Sequence, residues 1–298
     1  MNYIIGVDSG GTKTEATAFS LEGEPLEQCI TGFGNPLVDY DIAVRNIKKA
    51  LQTIFSACGK DCKLVVIGLA GVDSSGQKER LESEFSFLKV PIMLINDGKL
   101  AHLSILKGKE GILAISGTGS LVLGYQTSQW LRVGGWGHLL GDEGSAYDIA
   151  KKAIQRVLFE EDSGQTYSEL SVSIMNYLQV TDVLSLVKIA YQLNKGEFSK
   201  LAAVVGKLST TNELARGILI KSAEDLAKQT IILINKMGNP QKRISIGING
   251  SVIEKNQLFR KAFFTYLSDN NVKVQECEKT EPTTKGAYYL FKEGWQNK

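Results

Sequence analysis

Two stretches of this chain repeat one pattern, 108 residues apart. The first is Ile4-Ile5-Gly6-Val7-Asp8-Ser9-Gly10-Gly11-Thr12. The second is Ile112-Leu113-Ala114-Ile115-Ser116-Gly117-Thr118-Gly119-Ser120. Each is a short apolar run that ends in a tip of Gly, Ser and Thr. Short apolar runs bounded by turn residues read as buried strands. Alternating residues from Glu15 to Leu21, and the run Leu121 to Tyr125, read as the strands that return from each tip. Two hairpins at a domain-sized offset point to a duplicated unit. A chain of 298 residues has room for two such domains.

The rest of the pattern alternates helix and strand. Asp41 to Ala57 has helical spacing, with Ile42, Ile47, Leu51, Ile54 and Phe55 on its apolar face. Strands are predicted at Leu64 to Gly68 and Ile92 to Ile95, then a short helix at Lys99 to Leu106. Helices follow at Ser145 to Leu158, Val183 to Leu193, Phe198 to Leu208 and Glu213 to Lys236. A strand at Arg243 to Gly247 enters a third Gly-bearing turn, Ile248-Asn249-Gly250-Ser251. A helix at Val252 to Tyr266, a late strand at Val272 to Gln275 and a terminal helix at Thr283 to Lys292 complete the order. This alternation predicts an α/β chain of two domains with a cleft between them.

Net charge is +2 and the basic residues are scattered, so nothing selects for nucleic acid. No apolar run reaches membrane-spanning length, and the N-terminal run stops at Asp8 without a cationic start. The expectation is a cytoplasmic protein with no membrane and no nucleic-acid partner. Four cysteines are too few for a disulfide framework in a chain this long. Cys58 and Cys62 could form half of a metal site, but reduced thiols are the simpler reading.

The glycine tips carry chemistry as well as geometry. Phosphate oxygens need several N–H donors at short range, and glycines permit turns whose N–H groups converge. Thr12, Thr14, Thr118 and Ser120 can add hydroxyls. Asp8 ends the first strand beside such a tip, where a carboxylate would repel phosphate unless a cation intervened. Asp8 is therefore a candidate for Mg²⁺, held directly or through water, or else it caps the turn. Asp97 lies between a strand and a helix; it is either a general base or the helix N-cap. The densest segment is Gly134-Gly135-Trp136-Gly137-His138-Leu139-Leu140-Gly141-Asp142-Glu143-Gly144-Ser145. Five glycines, a Trp, a His and two acids in twelve residues suit a small polar ligand: carboxylates accept hydroxyl hydrogens and a flat ring covers an apolar sugar face. Glu143 could instead be a first-turn acid, and His138 could be structural. Asn35, in the turn Gly32-Phe33-Gly34-Asn35-Pro36, could bind substrate or simply hold the turn.

These residues resemble the N-acetylglucosamine kinases and the related BadF-BadG-BcrA-BcrD-type ATPases, within the superfamily of actin, hexokinase and the heat-shock ATPase. The resemblance runs along nearly the whole chain and is most specific at Gly134 to Ser145. It implies duplicated ribonuclease-H-like α/β domains with ATP and sugar in the interdomain cleft. The first would span residues 1–111, completed by a C-terminal helix at 283–298. The second would span 112–282 and carry a helical insertion. By motif, Gly10, Gly11, Thr12, Lys13 and Thr14 resemble the first phosphate loop, and Gly117, Thr118 and Gly119 the second. Gly206, Gly250 and Ser251 resemble adenosine contacts. Asn35, Gly135, Trp136, Gly137 and Asp142 resemble sugar ligands, with Asp97 as the base on the sugar 6-hydroxyl. The implied activity is ATP- and Mg²⁺-dependent phosphorylation of an amino sugar, N-acetylglucosamine before N-acetylmuramic acid or glucosamine, and a homodimer is compatible with it. A regulatory ATPase acting on a protein partner is the competing class.

Two departures stand out. Pro36-Leu37-Val38 follows Asn35 where the animal kinase has a His-Trp pair that helps enclose the sugar. Relatives that activate radical dehydratases need cysteines in the second half of the nucleotide core, and no Cys lies between Cys62 and Cys277.

Overall fold

The computed structural model describes residues 1–72, 76–238 and 243–294. The chain divides into two compact units: Met1–Glu110 with Cys277–Lys298, and Gly111–Glu276. In the first unit β1 (Tyr3–Ser9), β2 (Thr14–Ser20) and β3 (Pro25–Thr31) form an antiparallel meander. Helix α1 (Tyr40–Cys58) leads to β4 (Cys62–Leu69), α2 (Lys78–Phe85) to β5 (Ile92–Asn96), and α3 (Asp97–Ile105) follows. The sheet order is β3-β2-β1-β4-β5, and β4 runs parallel to β1 and to β5.

The second unit repeats that plan. Its strands are β6 (Gly111–Ser116), β7 (Ser120–Gln126), β8 (Gln129–Gly134), β9 (Ile244–Asn249) and β10 (Val274–Cys277), in the order β10-β9-β6-β7-β8. β6–β7 and β7–β8 are antiparallel; β6–β9 is parallel. The hairpin tips match in position: Ser9 pairs with Thr14, and Ser116 with Ser120. Between β8 and β9 lie α4 (Ala146–Asp162), α5 (Glu169–Leu178), α6 (Val183–Gln192), α7 (Lys195–Ser199), α8 (Leu201–Leu208) and α9 (Glu213–Lys236). Helices α10 (Ser251–Lys255) and α11 (Gln257–Asp269) follow β9. The α/β fold with two related five-stranded sheets is as expected.

Each unit has its own core. Ile5, Val7, Ile47, Leu51, Val65, Ile67 and Leu94 are buried in the first, and Ile112, Val122, Ile149, Leu226, Ile246 and Phe263 in the second. Each such side chain contributes about 1.5–3 kcal/mol by leaving water. No single helix among the described residues is long and apolar enough to cross a membrane, and all four cysteines are free thiols.

Several local expectations need correction. α1 buries Ala43, Val44 and Ala50 beside Ile47, Leu51 and Ile54, while Ile42 is exposed; the face is rotated toward the small residues. β3 and β8 escape the sequence pattern because they are sheet edges whose residues are largely exposed or half-buried. The helix predicted at Val252 to Tyr266 breaks at Asn256, whose side chain accepts the Phe259 N–H at 2.9 Å and restarts the helix. The helix predicted from Phe198 starts earlier, at Lys195, and restarts at Leu201. The terminal helix opens as a 3₁₀ turn at Thr283–Lys285 and continues as Gly286–Lys292; residues 295–298 of the expected 283–298 helix lie outside the described residues.

That C-terminal segment is set against β1 with no room to spare. A β-carbon on Gly6 would sit 2.0 Å from the Thr284 carbonyl oxygen, and one on Gly286 would sit 2.2 Å from that of Leu100. Thr284 Oγ1 meets Thr17 Oγ1 at 3.0 Å. Gly6→Ala should therefore cost about 1–3 kcal/mol through overpacking, read as a lowered urea midpoint. Gly11→Ala, where an added β-carbon meets nothing within 4 Å, should leave the midpoint within error. An unshifted midpoint for Gly6→Ala would contradict this packing.

Candidate active site

In the first unit the parallel strands β1, β4 and β5 end at one edge of the sheet. Asp8, Gly68 and Ile95 stand in register there. Such carboxyl-terminal edges are where open α/β sheets bind ligands. Two carboxylates reach this edge. Asp8 is pushed up to about 6, first by burial and then by the negative charge of Asp97; Glu15 adds to the rise, while Lys279 and a hydrogen bond from Thr283 oppose it. Asp97 is the first residue of α3. The N-cap is Asn96, whose Oδ1 accepts the Gly98 N–H at 2.9 Å; Asp97 Oδ1 accepts the same N–H at 2.9 Å. The capping role considered for Asp97 thus belongs to Asn96. Asp97 keeps a position at a helix N-terminus, where the dipole favours its ionised form.

The first hairpin tip adjoins this edge. Gly11, Thr12 and Lys13 are exposed and Gly10 is half-buried. Lys13 pairs with Glu15 at 2.6 Å. Thr14 is buried, with its hydroxyl 3.2 Å from Ser9 Oγ; Ser9 in turn donates to the Gly34 carbonyl at 2.7 Å. The Gly34 N–H donates to the Gly10 carbonyl at 2.9 Å. These bonds tie the Asn35 turn to the tip. A β-carbon at Gly34 would lie 2.1 Å from both hydroxyl oxygens, so only glycine fits. Asn35 Oδ1 accepts the Leu37 N–H at 3.0 Å and so holds its own turn.

In the second unit the tip Gly117-Thr118-Gly119 is held from below. The Ala146 and Tyr147 N–H groups of α4 donate to the Gly117 and Thr118 carbonyls at 2.8 and 3.4 Å. Ser116 Oγ donates to the Gly144 carbonyl at 2.6 Å and Ser120 Oγ to that of Glu143 at 2.7 Å. The third glycine turn abuts the tip: Gly250 has φ +104°, and a β-carbon there would be 2.5 Å from the Ser116 carbonyl oxygen. Beside it lies a cavity of about 500 Å³ bordered by Thr118, Gly206, Ser251, Val252, Lys255 and Asn256. Its volume is in the range of small-ligand sites.

The glycine-rich segment is strained and pinned. Gly134, Gly135, Gly137, Gly144 and also Asp142 (φ +62°) adopt left-handed conformations. The Gly144 N–H donates to Asp148 Oδ2 at 2.9 Å, and Gln229 Nε2 donates to Glu143 Oε2 at 3.0 Å. The first-turn acid of α4 is therefore Asp148; Glu143 lies ahead of the N-cap Ser145. His138 rests edge-on against Tyr147 at 4.7 Å, and Tyr147 stacks on Phe198 at 4.5 Å. Trp136 is 66% exposed, with the Arg132 guanidinium 4.0 Å over its ring. Asp142 is 3% exposed, and its Oδ2 accepts Lys195 Nζ at 2.8 Å.

The matched family is decisive: BadF/BadG/BcrA/BcrD ATPases, along residues 5–288. The chain belongs to this ATPase family. It is 29% identical over 303 residues to an N-acetylmuramic acid/N-acetylglucosamine kinase of Clostridium acetobutylicum, covering 97% of this chain and 98% of the relative. It is 26% identical to an N-acetyl-D-glucosamine kinase of Dictyostelium discoideum, covering 96% of each. Among solved structures it superposes on a candidate N-acetylglucosamine kinase from Chromobacterium violaceum with a TM-score of 0.79 at 22% identity, over 97% and 99% of the two chains. A ROK-family glucokinase from Streptomyces griseus, in complex with glucose and AMPPNP, gives 0.61 at 15% identity over 99% and 100%. These structural likenesses bear out the fold of the chain, a duplicated α/β architecture.

The residues present fit MgATP. Among the described residues no group of three or more His, Cys, Asp or Glu could hold a metal by itself. Mg²⁺ in nucleotide sites takes one or two carboxylates and fills its octahedron with phosphate oxygens and water. Asp8, at the carboxyl edge of the sheet, would supply such a carboxylate. Sequence reasoning missed Thr283 and Lys279 at Asp8, and Lys195 at Asp142. Lys279 lies between the late strand and the terminal helix and Thr283 at the expected start of that helix, where nothing local marks a partner for Asp8; Lys195 lies in a capping box, Asn194 to Glu197, which marks a helix start and not its partner.

The raised Asp8 carboxyl has a stability consequence. An unfolded Asp ionises near 3.9, so between about pH 4 and pH 6 the folded chain binds the extra proton. Stability from this group falls as pH rises through that window. In divalent-free buffer, the unfolding free energy of the unmodified protein minus that of Asp8→Asn should fall by roughly 1–3 kcal/mol from pH 4 to pH 6.5. A difference that stays flat or rises would contradict the placement of Asp8.

Proposed function

We propose that this protein is a cytoplasmic, ATP-dependent kinase acting on the 6-hydroxyl of an amino sugar, N-acetylglucosamine first. The observation that carries the reading is the placement of Asp97. It is a carboxylate at the carboxyl edge of a parallel sheet, at a helix N-terminus, within the field of a second acid. Family membership and the full-length similarity to kinases of amino sugars support it.

In this reading Asp97 accepts the proton of the 6-hydroxyl as the hydroxyl oxygen attacks. The Gly10 and Gly117 N–H groups close their own tips by donating to the Lys13 and Gly119 carbonyls; the N–H groups of Gly11 to Lys13, Thr118 and Gly119 would stabilise phosphate charge, and Asp8 would hold Mg²⁺ directly or through water. ATP supplies the phosphoryl group and Mg²⁺ offsets its charge. Gly206 and Ser251 border the cavity that would take the adenosine, and Gly250 forms the turn just before Ser251. Trp136, between Gly135 and Gly137, offers a ring to the sugar, and Asn35 borders it. Little covalent work falls to the protein, so positioning carries most of the rate. Leu37 and Val38 are exposed and shorter than a His-Trp pair, which leaves room for a larger 3-substituent. N-acetylmuramic acid is accordingly the first alternative substrate.

Asp97→Asn should bind MgATP within about twofold of the unmodified protein while kcat falls roughly 10²–10⁴-fold. Calorimetric binding and coupled ADP release measure the two. Turnover within about fivefold of normal would remove Asp97 as the base. ADP release that is equal with and without amino sugar would instead mean a regulatory ATPase.

A further inference from the structure

Lys195 has the strongest unexplained placement in the second unit. It is the first residue of α7, whose start is fixed by a full capping box: Asn194 Oδ1 accepts the Glu197 N–H at 3.0 Å, and Glu197 Oε2 accepts that of Asn194 at 3.0 Å. Its side chain reaches 53 residues back in sequence to Asp142. Asp142 is buried and holds a left-handed backbone conformation that non-glycine residues adopt at some cost. The Lys195 side chain is 36% exposed, against 4% for its partner.

The pair lies on the second hairpin tip. A β-carbon at Gly119 would come within 2.9 Å of Asp142 Oδ2 and 3.0 Å of Lys195 Nζ. The ammonium therefore stands against the tip backbone, in the space a side chain at position 119 would take. Gly196, the next residue, borders the 500 Å³ cavity together with Thr118, Ser251, Lys200 and Lys255. Thr118 belongs to both the tip and the cavity lining, and Lys195 immediately precedes the lining residue Gly196. An ammonium has three N–H donors, and Asp142 is its one ion-pair partner among the described residues. A surface ion pair alone would give little stability. A buried acid that aims a half-exposed lysine along a glycine tip is instead an arrangement for holding an anion.

We propose that the Lys195 ammonium binds the polyphosphate of the nucleotide at the second tip, and that Asp142 is the positioning residue that keeps it there. This rests on reading Gly117 to Gly119 as a phosphate loop. It gives Asp142 a task on the nucleotide side: its carboxylate orients the lysine and leaves the remaining ammonium donors for phosphate oxygens. Lys13, on the first tip, differs in kind. Its partner Glu15 lies on the hairpin itself, and the lysine side chain is 57% exposed.

The test reads nucleotide affinity on the full chain by calorimetry, without sugar, using MgATP and adenosine as probes. Lys195→Gln should weaken MgATP by about ten- to a hundredfold, the size of a lost charge-assisted contact, and leave adenosine within about twofold. Lys195→Arg should recover most of the loss. Asp142→Asn should weaken MgATP by a smaller factor and leave adenosine within about twofold. Lys195→Gln with Asp142→Asn, an uncharged pair of the same shape, guards against a fold lost to a stranded buried charge, and should match Lys195→Gln. MgATP affinity unchanged in Lys195→Gln, or equal losses for MgATP and adenosine, would each overturn the assignment. Because no sugar is present in the binding assay, its failure would leave the kinase reading standing. Absence of sugar-dependent turnover in the unmodified protein would fail that reading without touching the binding result.

Discussion

Like charges gathered at one sheet edge set the terms for the rest of this molecule. Burial first, and then the negative charge of Asp97 at the start of α3, push the carboxyl of Asp8 at the end of β1 up to about 6. That repulsion is a cost the fold carries without its ligand. It is relieved by a cation, and the residues nearby already begin the work: Thr283 donates to Asp8 and Lys279 adds positive charge. The close approach of Gly6 to Thr284 is what brings this C-terminal stretch to the sheet. In the proposed reading a divalent ion at Asp8 would complete that compensation and couple nucleotide binding to the ionised state of the edge.

The second unit solves a different problem. The glycine tip is held mostly by its carbonyls, which accept from the first N–H groups of α4, and by one N–H of its own, Gly117 to the Gly119 carbonyl, while Ser116 and Ser120 clamp the segment from Glu143 to Gly144. The segment is anchored further by Asp148 and Gln229, themselves on α4 and α9. Rigid helices therefore fix the tip, and the strain of Asp142 persists because its surroundings over-determine it. Positioning of this kind is what phosphoryl transfer asks of a protein.

Much of this was legible in the residues. The repeat of strand, glycine tip and strand survives as two sheets of one order, because each tip needs glycine for its backbone and apolar residues for its strands. Asp97 and Asp8 stood out as acids at strand ends, and their mutual influence on the sheet edge follows from parallel pairing. Edge strands β3 and β8 were invisible, since β3 is largely exposed, β8 largely half-buried, and neither carries a clear alternation. Lys195 could not be found from its neighbours in sequence; its meaning comes from Asp142, and only tertiary packing brings them together. Thr14 and Ser120 look like phosphate hydroxyls in sequence, yet both are buried and tie loops to one another. A hydroxyl's partner is decided by the fold around it, which a local pattern does not encode.

The most direct test of the account is the ³¹P spectrum of a reaction containing the protein, MgATP and N-acetylglucosamine. A 6-hydroxyl acceptor places two hydrogens on the carbon next to the new ester oxygen. The account predicts a phosphomonoester signal split into a triplet by those hydrogens, growing in step with ADP. A doublet would place the phosphate on a ring carbon bearing one hydrogen and contradict the assigned acceptor. Inorganic phosphate in place of any ester, with every amino sugar tried, would contradict the kinase itself.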